Sequence, residues 1–107
     1  MANARLSRVV TIRNPQGIHL RPADLLVKTA NRFEAQIEVV KGGDRFDAKS
    51  VLSLLTLAAS QGTELLFQAQ GPDAQPALDA IAELVDRGFD EMNPPAVTAE
   101  PTGGMGD

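Results

Sequence analysis

From Leu20 onward the apolar residues Leu20, Ala23, Leu26, Val27, Ala30 and Phe33 recur at three- and four-residue steps, while Asp24, Lys28 and Arg32 fall between them. That is the period of one helical face, and Pro22 is compatible with it because first-turn N–H groups have no intrahelical acceptor. A second stretch of this period opens at Gly71-Pro72-Asp73 and closes at Gly88, with apolar positions Ala77, Leu78, Ile81, Leu84 and Val85. A third is shorter: Ser50 fits an N-cap before Val51, Leu52, Leu54, Leu55 and Leu57, with Ser60-Gln61-Gly62 as the stop. Between these stretches the period changes. Residues 7–13 (SRVVTIR) are rich in β-branched side chains and end at the turn-prone Asn14-Pro15-Gln16-Gly17, which predicts a strand and a tight loop. Residues 36–41 alternate Ile37 and Val39 with polar neighbours, Gly42-Gly43-Asp44 supplies a turn, and residues 45–48 return, giving a hairpin. Residues 63–70 (TELLFQAQ) form the fourth strand.

The predicted order is β-α-β-β-α-β-α. Long amphipathic helices that each need one buried face are best served by one side of a four-stranded sheet, so the expected class is α+β, a two-layer open-faced sandwich with helices on one face. One domain is expected over residues 1–92. Residues 93–107 lack periodicity, are rich in Pro and Gly, and are expected to be a disordered tail.

Charge narrows the classes of function. Residues 1–60 hold nine Lys/Arg and five Asp/Glu, net +4, and residues 61–107 hold one and nine, net −8, which gives the chain −4. With an acidic second half, no Trp, no Tyr and no basic cluster among aromatics, nucleic-acid binding is not expected. The chain has no cysteine and a single histidine, so a disulfide framework is excluded and a metal site is not expected. No apolar run approaches the roughly 18 residues of a spanning helix, and no signal-peptide pattern opens the chain, so a cytoplasmic protein without membrane insertion is expected. No G-x-S-x-G elbow or G-x-x-x-x-G-K-[ST] loop occurs, which argues against serine hydrolysis, nucleotide binding and intrinsic enzymatic activity.

The single histidine, His19, stands at the entry to the first predicted helix, with Arg21 two residues on. A neutral imidazole nitrogen is available as a nucleophile near neutral pH. The helix start offers unpaired N–H groups and a positive dipole end, and an arginine fork adds fixed charge, so a phosphoryl group on His19 would be well held. A lone histidine at such a place is more commonly a cap or a surface residue; the arginine, the helix start and the Gly-Ile turn together favour phosphoryl capture.

The segment Gly17-Ile18-His19-Leu20-Arg21-Pro22-Ala23 resembles the phosphohistidine signature of the HPr family, phosphocarriers of the bacterial phosphoenolpyruvate-dependent sugar phosphotransferase system. Lys49-Ser50-Val51-Leu52-Ser53-Leu54-Leu55 is similar to that family's regulatory segment, with Ser53 where glycine is common, and the resemblance covers about residues 5–90. It implies an antiparallel sheet and a stoichiometric carrier with no cofactor. His19 would take phosphate on Nδ1 from enzyme I and pass it to an enzyme IIA domain, Arg21 would steady the phosphoryl group, and Ser50 would be a candidate for an HPr kinase/phosphorylase. By its own chemistry Ser50 is first a helix cap.

Leu20, Val51, Leu52 and Leu55 are the expected partner-binding residues, although core packing is the competing role for at least one of Val51, Leu52 and Leu55. A small relay presenting one face to successive partners is most simply a monomer. Two alternatives accompany the carrier: a nitrogen-type regulatory relative whose phosphorylation state tunes partner proteins, and an interaction module with an inert His19.

Overall fold

A computed structural model describes residues 4–91. The elements follow the predicted order: strand β1 (Arg5–Thr11), helix α1 (Leu20–Ala30), strands β2 (Gln36–Lys41) and β3 (Asp44–Asp47), helix α2 (Val51–Leu57), strand β4 (Glu64–Gln70), helix α3 (Ala74–Asp86) and a 3₁₀ turn, Gly88–Asp90. The expected tail at 93–107 lies outside the described residues.

The four strands form one antiparallel sheet in the order β1-β4-β2-β3. The period of two decides its faces: Ile37 and Val39 of β2 and Leu65, Phe67 and Ala69 of β4 are buried beneath the helices, while their neighbours stay in partial contact with water. Ala23, Leu26 and Ala30 of α1 and Ala77, Leu78, Ile81, Leu84 and Val85 of α3 complete the core. The fold is the α+β open-faced sandwich that the apolar periods predict.

Several boundaries differ from the sequence expectation. Strand β1 begins two residues earlier and ends two earlier than 7–13, because Arg5 and Leu6 pair with Gln70 and Ala69 at the end of β4. Its former end becomes loop: the Ile12 N–H donates to the Thr63 carbonyl at 2.9 Å. Strand β3 covers Asp44–Asp47, since register pairs Asp44 with Lys41 and leaves Ala48 beyond the ladder. Helix α2 stops at Leu57, well before Ser60-Gln61-Gly62, with Ala58 in the left-handed conformation (φ 55°) as its C-cap. Leu20 and Phe33 leave the buried stripe of α1: Leu20 is exposed at the first turn, and Phe33 lies beyond the Asn31 C-cap, half-buried.

Asp73 occupies the N-cap position of α3, but its side chain does not cap that helix. It accepts N–H groups from Glu34 and Ala35, both at 2.8 Å, and so clasps the α1–β2 connection to the start of α3. The backbone N–H of Glu34 is the largest influence on its carboxyl group and holds it below the ordinary value, with Ala35 and the nearby Lys49 charge acting the same way against burial. No helix among the described residues is long and apolar enough to cross a membrane.

Candidate functional site

The loop from β1 to α1 sets the position of His19. Asn14, Pro15, Gln16 and Gly17 form the expected turn, with the Gly17 N–H donating to the Asn14 carbonyl at 3.1 Å. The next residue is tied across the molecule: the Ile18 N–H donates to the Ala59 carbonyl at 2.8 Å. That approach requires glycine at position 17. Its φ is +68°, and a Cβ there would lie 2.3 Å from the Ala59 carbonyl oxygen.

His19 is the N-cap residue of α1 with extended backbone (φ −101°, ψ −164°), and its ring makes no capping bond. Among the described residues no side chain caps the first-turn N–H groups of α1, which lie at the positive end of the helix. The ring is 38% exposed, accessible to a reactant on one side and held on the other. Its Nε2 lies 3.2 Å from Glu91 Oε1. Arg21 donates through Nη1 to the Phe89 carbonyl at 2.9 Å and to Glu91 Oε2 at 3.2 Å. Both bonds use one terminal nitrogen, so among the described residues the remaining N–H groups of the guanidinium fork have no acceptor and can meet a further anion.

Glu91 also accepts from Asn14 Nδ2 at 3.0 Å, and the same amide donates to the Gly17 carbonyl at 2.7 Å. Burial pushes the Glu91 carboxyl upward, but hydrogen bonds from His19, Asn14 and Arg21 and the His19 charge outweigh it, leaving the group below its ordinary value. Glu91 and Asn14 were not among the residues expected from sequence. Phe89, a lone aromatic residue past the helix stop at Gly88, was the available signal, since its fully buried ring anchors the turn that delivers Glu91.

The structure gathers most of the expected site. A shallow apolar depression beside the histidine is lined by His19, Leu20, Arg21, Asp24 and Val51. Leu20 (64%) and Leu52 (75%) are largely exposed and Leu55 is at the border of exposure, whereas Val51 packs partly against the core. Core packing thus takes up part of Val51, while Leu54 and Leu57 fill the buried side of α2. Ser50 caps α2 as its chemistry predicts: its Oγ accepts the Ser53 N–H at 3.1 Å. Among the described residues no three His, Asp or Glu side chains gather in a geometry suited to a metal ion.

Comparison with known proteins places the chain by its sequence and its fold. Residues 6–87 match the family model described as "PTS HPr component phosphorylation site". The chain is 45% identical over 89 residues to phosphocarrier protein NPr of Shewanella violacea, covering 83% of this chain and 98% of that one. It is 39% identical over 84 residues to phosphocarrier protein HPr of Treponema pallidum, covering 78% and 96%. Among solved structures, HPr of Thermoanaerobacter tengcongensis superposes with a TM-score of 0.78 at 36% identity, over 80% of this chain and 97% of that chain. On the shared fold and a match across nearly the whole described region, this chain belongs to the HPr family of phosphocarrier proteins.

Proposed function

We propose that the chain carries phosphate in a phosphoenolpyruvate-dependent phosphotransferase system, taking it from phospho-enzyme I on His19 and passing it to an enzyme IIA domain. The observation that carries this reading is a half-open imidazole at a helix start with a guanidinium beside it. Capture needs an accessible ring nitrogen and a place for a dianion. The open side of His19 supplies the first, and the uncapped first turn of α1 with the unused N–H groups of Arg21 supplies the second.

Partners that accept and donate the phosphoryl group must bring their own catalytic groups to His19, and Leu20, Val51, Leu52 and Leu55 offer an apolar rim on which they dock. Brief exchange suits a small patch of this kind. The chain then turns over as a monomeric stoichiometric intermediate in the cytoplasm, with no cofactor of its own. Ser50 is proposed as a secondary phosphate acceptor: a dianion at the N-cap of α2 would reinforce the helix start while adding negative charge beside the docking rim.

The sugar-transport assignment competes with a regulatory, nitrogen-type branch, in which the phosphorylation state of His19 tunes partner proteins. Identity of 45% to a protein named NPr supports that second reading. Transfer from the charged chain to a sugar-specific IIA domain separates the two.

The deciding experiment is ³¹P NMR and intact mass after incubation with phosphoenolpyruvate, magnesium and enzyme I. Wild type is expected to gain one acid-labile, alkali-stable phosphate, and His19→Ala none. Equal labelling of His19→Ala would overturn the assignment.

A further inference from the structure

Glu91 contributes nothing to an anion site by its charge, yet three side chains converge on it. Oε1 accepts from Asn14 Nδ2 at 3.0 Å and lies 3.2 Å from His19 Nε2, and Oε2 accepts from Arg21 Nη1 at 3.2 Å. The Asn14 amide nitrogen and the guanidinium can only donate, so the carboxylate is an ionised acceptor and the third contact needs a donor as well. Nε2 therefore bears the ring proton. In a neutral imidazole that leaves the lone pair on Nδ1.

The backbone that brings Glu91 here is strained. Gly88, Phe89 and Asp90 have φ values of 66°, 55° and 62°, a left-handed run in which two residues carry side chains. Such a run persists where its surroundings over-determine it, and the fully buried Phe89 ring does so here. Its product is a pair of acceptors, the Phe89 carbonyl on Arg21 and the Glu91 carboxylate on both Arg21 and His19. Asn14, fully buried, holds the same carboxylate from behind.

We propose that Glu91 is the positioning residue of the phosphoryl relay, keeping the His19 proton on Nε2 so that Nδ1 attacks phosphorus and balancing the charge the ring then gains. The role rests on His19 being the phosphoryl acceptor. As Nδ1 bonds to phosphorus, the bond between phosphorus and the donor, phospho-enzyme I, breaks and its electron pair stays with the donor. Nε2 keeps its proton, so the product is a phosphorylated imidazolium whose N–H faces a carboxylate. On delivery the Nδ1–P electron pair returns to Nδ1 and the ring is neutral again. No proton has to leave His19 in either direction, and the contact with Glu91 persists through the cycle.

Two variants and two readouts test this. Glu91→Ala removes the acceptor; Glu91→Gln keeps an acceptor oxygen without the charge. ¹⁵N NMR of the imidazole is expected to find the wild-type proton on Nε2, a proton exchanging between both nitrogens in Glu91→Ala, and an Nε2 proton again in Glu91→Gln. In rapid phosphorylation by enzyme I charged with phosphoenolpyruvate, Glu91→Ala is expected to lower kcat roughly tenfold to a hundredfold with KM little changed, as orienting partners of histidines do. Glu91→Gln should fall between Glu91→Ala and wild type. A wild-type ring protonated on Nδ1, or a Glu91→Ala chain charged at the wild-type rate, overturns the proposal. A wild-type chain that takes no phosphate overturns the carrier reading, and the ring-proton measurement then still decides whether Glu91 holds the imidazole.

Discussion

Asn14 Nδ2 stands 3.0 Å from Glu91 Oε1, a bond that joins the loop before α1 to the turn after α3 across 77 positions of sequence. With its second bond to the Gly17 carbonyl, the Asn14 side chain is a buried strut under the histidine loop, and its Oδ1 has no partner among the described residues. Removing the strut leaves the Gly17 carbonyl and the Glu91 carboxylate each short of a donor. Asn14→Ala is therefore expected to cost about 1–3 kcal/mol of folding stability, measured by urea denaturation. Asn14→Asp should cost more at neutral pH, since it sets a second carboxylate against Glu91. Its deficit should narrow in acid, as protonation of either carboxyl group removes the repulsion.

Gly17 sits where the histidine loop meets the chain after α2. A methyl group there would meet the Ala59 carbonyl at 2.3 Å and the Ser60 Cα at 2.7 Å, both backbone atoms that no side-chain rotation can clear. The positive φ adds to the penalty. Gly17→Ala is expected to lose about 2–4 kcal/mol by thermal or urea melting, within the range of strained-backbone and overpacking changes. Since Ile18 and His19 follow directly, charging by enzyme I should slow more in Gly17→Ala than the loss of folded protein explains.

The layers of this fold were legible because each element carries its own period. Ile37 and Val39 announce a half-buried strand, and Ala77, Leu78, Ile81, Leu84 and Val85 announce one buried helical face, all without reference to the rest of the chain. His19 and Arg21 were legible for a similar reason, since local spacing at a helix start is visible in one segment. The other half of the site was not. Asn14 reads locally as a turn residue and Glu91 as the end of an acidic stretch; their meeting depends on α3 running back along the sheet and on the left-handed turn at Phe89. The clasp made by Asp73 was hidden for the same reason: locally the residue marks only the opening of a helix, and the N–H groups of Glu34 and Ala35 that its carboxylate accepts are remote in sequence.

The two ends of α2 make a paired prediction of opposite sign. At the N-terminus the Ser50 Oγ satisfies the Ser53 N–H, and Ser50→Ala is expected to cost about 1 kcal/mol. At the C-terminus Ala58 adopts φ 55° and ψ 43°, where a Cβ is unfavourable and glycine is the usual occupant. Ala58→Gly is expected to stabilise by about 0.5–1 kcal/mol. Measured in one background, the double variant should come close to wild type, as the sites lie at opposite ends of the helix and share no partner.

Asp73 gives the fold a pH dependence of definite sign. Its two 2.8 Å bonds from the N–H groups of Glu34 and Ala35 favour the ionised form and hold the folded-state pKa below the ordinary 3.8. The unfolded chain thus binds this proton more tightly than the folded one, so stability from this group rises with pH. It is fully present above the unfolded value and is lost as pH falls through the folded one. Gly71 packs beside the same connection, where a Cβ would lie 2.8 Å from the Ala35 Cα, so the clasp has little room to reorganise when the charge is lost. Asp73→Ala should therefore have a lower urea midpoint than wild type at neutral pH. In acid well below 3.8 the two midpoints should draw together, because the wild-type carboxyl is then protonated as well. A gap that stays constant across that range would mean that the clasp stabilises the fold through packing, with no contribution from the carboxylate charge.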